Sequence, residues 1–317
     1  MISVLHLGSI DYGTAQDLQK SLVELRKAGR IGDVLLLLEH TPVITLGRNA
    51  RENNIVVPRE LLASQGVEVF ECDRGGDVTF HGPGQLVAYP IFDLRAFREK
   101  IGAVDFVRRL EEVLILTCAY CGIPTQRIKG MTGVWTYPEA PVKFRGDERD
   151  PSTRSSRAGD SARGPSFAQD DISSQRQVLR STQDDAEVNP TLRDDQGGAP
   201  TGERKIAAIG VHISRAVTSH GFALNVWTDL DYFKLIVPCG LTKPVTSIEY
   251  ETGKRVSMEE LMPVVTRHFG QVFKSQILWL EELNDLLPGI DIGAPRDTPM
   301  KEPEELRQLR GNDTSLA

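Results

Sequence analysis

Lys205-Ile-Ala-Ala-Ile-Gly-Val-His-Ile213, followed by Gly221-Phe-Ala-Leu-Asn-Val226, is the stretch on which the fold turns. The first run is apolar, carries Gly210 inside it and reads as a strand over Ile206 to Ile213. The second reads as its antiparallel partner, with Ala216 to His220 as the link. Strands this close in sequence leave no room for a helical crossover, so they pair antiparallel.

The rest of the chain fits around that hairpin. Met1-Ile-Ser-Val-Leu-His6 reads as a first strand, because it lacks the basic start and apolar stretch of a signal peptide. Thr14 to Lys27 sets Leu18, Leu22 and Leu25 on one helical face. Val34-Leu-Leu-Leu-Leu38 is a continuous apolar run suited to a buried strand, and Pro42 to Arg48 reads as another strand leaving through Gly47. Val67 to Cys72 alternates with period two, as a half-buried strand does. Leu86 to Phe92 is a further strand, whose Pro90 predicts an edge position or a strand end. Val104 to Tyr120 is a helix closed by Gly122, and Gly133-Val-Trp-Thr-Tyr137 is a short strand. Ser257 to Phe273 is an amphipathic helix with a Ser257/Glu260 capping box. Strands mixed with helices, without repeated βα units, point to an α+β fold with a mixed, mostly antiparallel sheet and flanking helices.

Composition changes abruptly from about Lys143 to Glu203, where Ser, Arg, Asp, Gln, Gly and Pro dominate. Such a segment buries too little apolar surface to offset its ordering entropy, and reads as a disordered insertion. The expected organisation is one catalytic domain over 1–275, interrupted at about 143–203, and a C-terminal extension over 276–317 that is partly mobile. The net charge of -7 gives no electrostatic footprint for a nucleic acid. No run of about 18 apolar residues is present to span a membrane. The cytoplasm is the expected setting. Four cysteines in 317 residues do not form a disulfide framework.

Three places carry chemistry. Arg74-Gly-Gly-Asp-Val-Thr-Phe-His-Gly-Pro-Gly-Gln85 is rich in glycine, which lets a backbone approach a ligand; it is neither a Walker loop nor a dinucleotide fingerprint. It reads equally as a ligand cradle or a tight structural hairpin. Cys239, in Leu235-Ile-Val-Pro-Cys-Gly240, is either a thiol exposed at a turn or a buried small side chain. Lys205 enters an apolar strand, where partial desolvation would lower its pKa; the plain alternative is a lysine reaching back to water. Cys118 and Cys121, at i and i+3 of a helix end, have no second pair and read as packing, as do Cys72, Trp135 and Trp227.

Together these blocks resemble the lipoyl(octanoyl) transferase family. The likeness rests on Arg74 to Pro90, on Lys205 to Gly210 with His220-Gly-Phe-Ala-Leu-Asn225, and on Ile236-Val-Pro-Cys-Gly240 with Val245-Thr-Ser247. Thr45-Leu-Gly-Arg48 and Gly133-Val-Trp135 also fit its pattern. The resemblance spans Met1 to Phe273 apart from the insertion, which stands where the family has a short turn.

The resemblance implies a fold related to the biotin and lipoate protein ligases. It implies that an octanoyl group passes from octanoyl-acyl carrier protein to an enzyme cysteine. From there it passes to a lysine of a lipoyl domain, in the E2 subunits of 2-oxoacid dehydrogenases or the glycine-cleavage H protein. The nucleophile falls on Cys239 and the residue that tunes it on Lys205. Substrate contacts fall on Arg74, Gly75, Gly76, Asp77, Val78, Thr79, Phe80 and His81, on Ala208, Ile209 and Gly210, and on Gly221, Phe222 and Ala223. The acyl chain is expected along Val78, Phe80, Ala208 and Phe222. No metal or other cofactor is expected, because a thioester already carries the activation. Three rivals make different demands. An ATP-dependent lipoate ligase needs ATP and no cysteine nucleophile, a non-catalytic acyl-binding or lipoyl-domain-binding protein forms no acyl-enzyme, and a Cys–His thioesterase using His81 or His220 hydrolyses faster than it transfers.

Overall fold

The computed structural model describes residues 1–50, 52–137, 202–237 and 243–286. In chain order its strands are β1 (Ile2–Ile10), β2 (Asp33–His40), β3 (Val43–Leu46), β4 (Glu68–Glu71), β5 (Val78–His81) and β6 (Gln85–Ile91). They continue with β7 (Thr125–Ile128), β8 (Met131–Thr136), β9 (Lys205–Ser214), β10 (Val217–Asn225) and β11 (Ile277–Trp279). The helices are α1 (Tyr12–Lys27), α2 (Arg59–Ser64), α3 (Ala103–Tyr120), α4 (Ile248–Thr252) and α5 (Met258–Phe273). The main sheet is eight-stranded, in the order β11-β1-β2-β6-β10-β9-β8-β7. Its first two joins are parallel and the other five antiparallel, the mixed, mostly antiparallel α+β arrangement expected. A three-stranded sheet, β4-β3-β5, stands beside it.

The leucine run of β2 is fully buried because both faces of the sheet are covered. On one face α1, started by Asp11 Oδ1 accepting from the Thr14 N–H at 2.8 Å, packs Leu18, Leu22 and Leu25 against Leu36, Leu38 and Val87. On the other face α3 and α5 bring Phe106, Phe269 and Phe273 around Phe92, with ring centroids 5.3–6.2 Å apart. Strand alternation divides the two layers on β10, where Ala223 joins the α1 cluster and Phe222 stacks on Phe269 at 6.0 Å. Each such buried apolar side chain contributes roughly 1.5–3 kcal/mol. The Ser257/Glu260 capping box at the start of α5 is present.

Two expectations are corrected. Pro90 is not at an edge: β6 lies between β2 and β10 and is buried throughout. It is tolerated because the β6–β10 ladder ends at Ala88, just before the missing N–H would matter, and the Pro90 carbonyl accepts from Thr218 Oγ1 at 2.6 Å. The link between β9 and β10 is shorter than Ala216 to His220. Arg215 and Ala216 alone make the turn, at φ 51° and 68°, a two-residue hairpin without its usual glycine.

Residues 277–279 add an edge strand, pairing Ile2 with Ile277 in parallel. The expected insertion, apart from 202–203, and the tail beyond 286 lie outside the described residues. Among the described residues no helix is long and apolar enough to cross a membrane.

Gly221 shows how tightly the central strands pack. A Cβ there would collide with the Ala88 carbonyl oxygen and lie 2.6 Å from Pro90 Cδ. Gly221→Ala is expected to cost about 3 kcal/mol by overpacking, seen as an earlier urea midpoint. An unchanged midpoint would show that the two strands separate freely.

Candidate active site

One pocket runs over the β9–β10 hairpin and is closed from the other side by the loop that precedes β5. It brings together most of the residues singled out in the sequence. Arg74, Gly75, Gly76, Thr79, His81, Lys205, Ala208, Ile209, Gly210, Gly221, Phe222 and Ala223 all line it. Asp77, Val78 and Phe80 do not. From Val78 to His81 the glycine-rich stretch is strand rather than loop, and alternation along β5 turns Thr79 and His81 to the pocket while Val78 and Phe80 enter the core of the small sheet. Phe80 stacks there on Tyr232 with centroids 4.5 Å apart, so of the four residues expected along the acyl chain, Val78 and Phe80 do not border this pocket, whereas Ala208 and Phe222 do. Asp77 faces an adjoining open groove and accepts from Asn54 Nδ2 at 2.6 Å.

The loop before β5 is fixed by Arg74, which is only 6% exposed. Its Nε donates to Thr45 Oγ1 at 3.1 Å, its Nη2 to the Thr45 and Asp77 carbonyls at 2.7 Å each, and its Nη1 to the Gly75 carbonyl at 3.1 Å. Most of its donors therefore hold the loop itself, so its main contribution is architectural. Glycines make the space. A Cβ on Gly47 would lie 2.5 Å from the Gly76 carbonyl oxygen, and one on Gly210 would lie 2.7 Å from that of Gly75. The Gly75 N–H donates to the Val211 carbonyl at 3.1 Å, which ties the loop onto β9.

Lys205 begins β9 at the other end of the pocket. Its N–H donates to the Pro244 carbonyl and its carbonyl accepts from the Thr246 N–H, both at 2.9 Å. Its Nζ sits 5.2 Å from the centre of the buried Trp135 ring, a cation–π contact. Its stem crosses Gly133, where a Cβ would lie 2.8 Å from Lys205 Cε. Asn225 steadies the same corner, donating to the Thr246 carbonyl at 2.9 Å and accepting from Gln85 Nε2 at 2.9 Å. Gln85 in turn accepts from His81 Nδ1 at 2.7 Å. Cys239 and Gly240 lie outside the described residues. Phe233 before that segment and Val245 after it both line the pocket.

At the inner end the aromatic rings of Tyr12, His40, His81, Tyr89 and His220 crowd together, with successive centroids 5.1–6.2 Å apart. His40 donates from Nδ1 to the Ile10 carbonyl at 2.9 Å and accepts from the Tyr89 hydroxyl at 2.7 Å. Burial holds its pKa down at about 4, and burial with neighbouring positive charge holds His81 well below the ordinary value. Burial also lowers His220, against the pull of Asp73. Burial raises both tyrosine hydroxyls. Away from the pocket, burial pushes the Cys121 thiol up to about 12 and raises that of Cys118, which fits the packing role read for them. Among the described residues no cluster of His, Cys, Asp or Glu is arranged to hold a metal. Sequence reading did not name Tyr12, Gln85, Tyr89, Ala207, His220, Asn225, Phe233 or Val245 as substrate contacts, yet all line the pocket. Gln85, Tyr89, Ala207, His220, Asn225 and Val245 had a signal, their places in the Arg74–Pro90, Lys205–Gly210, His220–Asn225 and Val245–Ser247 blocks, whereas Tyr12 and Phe233 had none.

Comparison with known proteins bears on the family and the fold. The profile of the lipoyl protein ligase A/B catalytic domain matches residues 11–147 and 167–270. An octanoyltransferase of Koribacter versatilis is 53% identical over 317 residues, covering 100% of both chains. One from Acidobacterium capsulatum is 45% identical over 91% of this chain and 96% of its own. Among solved structures, a bipartite lipoate protein ligase from Thermoplasma acidophilum aligns with TM-score 0.54 at 12% identity, covering 89% of this chain and 85% of its own. A lipoate-protein ligase A bound with ATP aligns with TM-score 0.52 at 13% identity, covering 89% and 87%. These two likenesses establish the fold.

The buried histidines make an acid-sensitive fold. They are neutral in the native state and protonate on unfolding, so the unfolded chain binds more protons below about 6.5. Stability is therefore fully present above that value and lost as pH falls toward about 4. Between pH 7 and pH 5, His40 alone is expected to remove about 2 kcal/mol, read as an earlier urea midpoint. A midpoint that does not move would show that water reaches this ring.

Proposed function

The chain belongs to the lipoyl protein ligase A/B catalytic-domain family, and on that premise we propose that it is an octanoyltransferase working through a thioester on Cys239. In this reading it takes an octanoyl group from octanoyl-acyl carrier protein and delivers it to a lysine of a lipoyl domain, in E2 subunits or the H protein, in the cytoplasm. The observation that carries it is the seat of Lys205. That ammonium group lies over Trp135 at one end of a pocket walled by small and apolar side chains, and both flanks of the segment holding Cys239 border the same pocket.

The chemistry follows from those placements. A lysine ammonium near a thiol favours the thiolate, bringing its pKa below the free value of about 8.5. The thiolate attacks the donor thioester, the old C–S bond breaks, and the Lys205 ammonium gives its proton to the departing pantetheine thiolate, which leaves Lys205 neutral. In the second half the acceptor lysine attacks acyl-Cys239, and neutral Lys205 takes the proton that the new amide no longer needs. Backbone N–H groups beside Gly240 or in the loop over Arg74 to His81 would steady the oxyanion. Gly75, Gly76, Thr79, Ala208, Ile209, Gly210, Gly221, Phe222 and Ala223 form the acyl walls. Each CH₂ they cover contributes about 0.8 kcal/mol, enough to separate octanoyl from a much shorter chain. Asp77, Val78 and Phe80 act from behind, by holding the loop and β5.

An ATP-dependent ligase is the second reading, because the fold is shared with a ligase whose structure was solved with ATP. The octanoyltransferase relatives at 53% and 45% identity favour the transferase.

The test is transfer from octanoyl-acyl carrier protein to a lipoyl domain, with and without ATP. Full activity without ATP is expected, with none in Cys239→Ser and at least a ~100-fold loss in Lys205→Ala. The pH profile of Cys239 alkylation should also move upward in Lys205→Ala. An unmoved profile would remove Lys205 from the tuning role, and a strict need for ATP would favour the ligase.

A further inference from the structure

We propose that Glu251 is a positioning residue of the relay, which holds the strand carrying Lys205 against the segment that follows Cys239 by way of Arg204 and Thr246. The inference rests on the Cys239–Lys205 reading above and extends it to what keeps the two groups within reach of each other.

Among the described residues, the backbone joins these two flanks by one isolated parallel bridge, Lys205 with Val245. The bridge consists of the two hydrogen bonds that Lys205 makes with Pro244 and Thr246, with no ladder on either side. Two backbone hydrogen bonds contribute modestly, and without a ladder they leave the angle between the flanks loosely set.

Side chains supply the rest, and they converge on one carboxylate. Arg204, the residue before Lys205, donates from Nε to Glu251 Oε1 at 2.8 Å and from Nη2 to Glu251 Oε2 at 2.9 Å. This is the two-pronged guanidinium–carboxylate geometry, which fixes direction as well as distance. Thr246, the residue after Val245, donates from Oγ1 to Glu251 Oε1 at 2.5 Å. Glu251 thus binds the strand of the lysine and the flank of the cysteine at once. Thr246 is fully buried, and the Arg204 and Glu251 side chains are 16% and 9% exposed. At that depth an ion pair is screened far less than one at the surface. A second pair across the same joint, Lys243 with Glu203 at 2.7 Å, is more open to water and adds less.

Glu251 stands on a fixed base. It belongs to α4, where the Glu249 N–H donates to the Val226 carbonyl at 2.8 Å, just past β10. Ser247 Oγ accepts from the Tyr250 N–H at 3.1 Å at the start of the same helix. Arg204 is tied in turn to β8: its carbonyl accepts from the Thr136 N–H at 2.8 Å, and its own N–H donates to Thr136 Oγ1 at 3.3 Å. Thr136 follows Trp135, the ring on which the Lys205 ammonium rests. Lys205, its aromatic seat and the flank of Cys239 are therefore held as one unit.

The experiment compares Glu251→Gln and Arg204→Lys in the full chain, each alone and combined with Lys205→Ala. Glutamine leaves an acceptor for Thr246 but takes no charged fork, and lysine keeps the charge without the fork. Three quantities are read: the pH profile of Cys239 alkylation, transfer kinetics from octanoyl-acyl carrier protein to a lipoyl domain, and the urea midpoint. Each single substitution should raise the alkylation midpoint by about half a pH unit, less far than Lys205→Ala does. Each should lower kcat roughly tenfold and leave KM for either substrate within about twofold. In the Lys205→Ala background neither should move the midpoint further, because the brace acts through the lysine. Arg204→Lys, which keeps both charges, carries the test should Glu251→Gln lose its fold. An alkylation profile that Lys205→Ala moves and these substitutions do not overturns the positioning role alone, even if the urea midpoint falls. A shift of the same size with and without Lys205 overturns it too. A profile unmoved by Lys205→Ala itself overturns the Lys205 reading and this inference together.

Discussion

Everything that faces the pocket depends on the buried Arg74 guanidinium. It ties Thr45 of β3 to the Asp77 and Gly75 carbonyls, and the loop it gathers is bonded to β9 through Gly75 and Val211. A guanidinium can do this because it offers five donors in a rigid fork. A side chain at Gly47 or Gly210 would enter the space that the loop and the guanidinium fill. The small sheet is thereby held against the large one, and the gap left between them is the pocket proposed to take the acyl chain.

The two ends of that gap have opposite character. At the Lys205 end the backbone is braced by Pro244, Thr246 and Asn225, and the ammonium group rides over Trp135. Charge is admitted there because an aromatic face and a nearby opening accommodate it. At the inner end the rings of Tyr12, His81, Tyr89 and His220 are buried, and burial keeps the imidazoles neutral. In the proposed reading the reactive carbonyl lies at the first end.

Much of this was legible in the sequence because it is local. The leucine run of β2, the period of α1 and the capping box of α5 depend on neighbours a few residues away, and all three formed as expected. The fold class followed from the β9–β10 hairpin. What was not legible depends on distant partners. Pro90 is accommodated in a central strand only because β10 stops pairing at Ala88 and Thr218 caps its carbonyl. The turn at Arg215 and Ala216 has no glycine to announce it. Arg74 looks like a ligand contact from its glycine-rich setting, yet spends most of its donors on the backbone around it. Tyr12 reaches the site from the start of α1, far in sequence from any motif.

The account centres on a covalent relay through Cys239, poised by Lys205. Intact-protein mass spectrometry after mixing with octanoyl-acyl carrier protein, in the absence of ATP, tests it most directly. The account predicts a mass gain of a single octanoyl group on the wild type, none on Cys239→Ser, and loss of the adduct when a lipoyl domain is added and gains it. No adduct on the wild type, with modification of the lipoyl domain only when ATP and free octanoate are supplied, would contradict it.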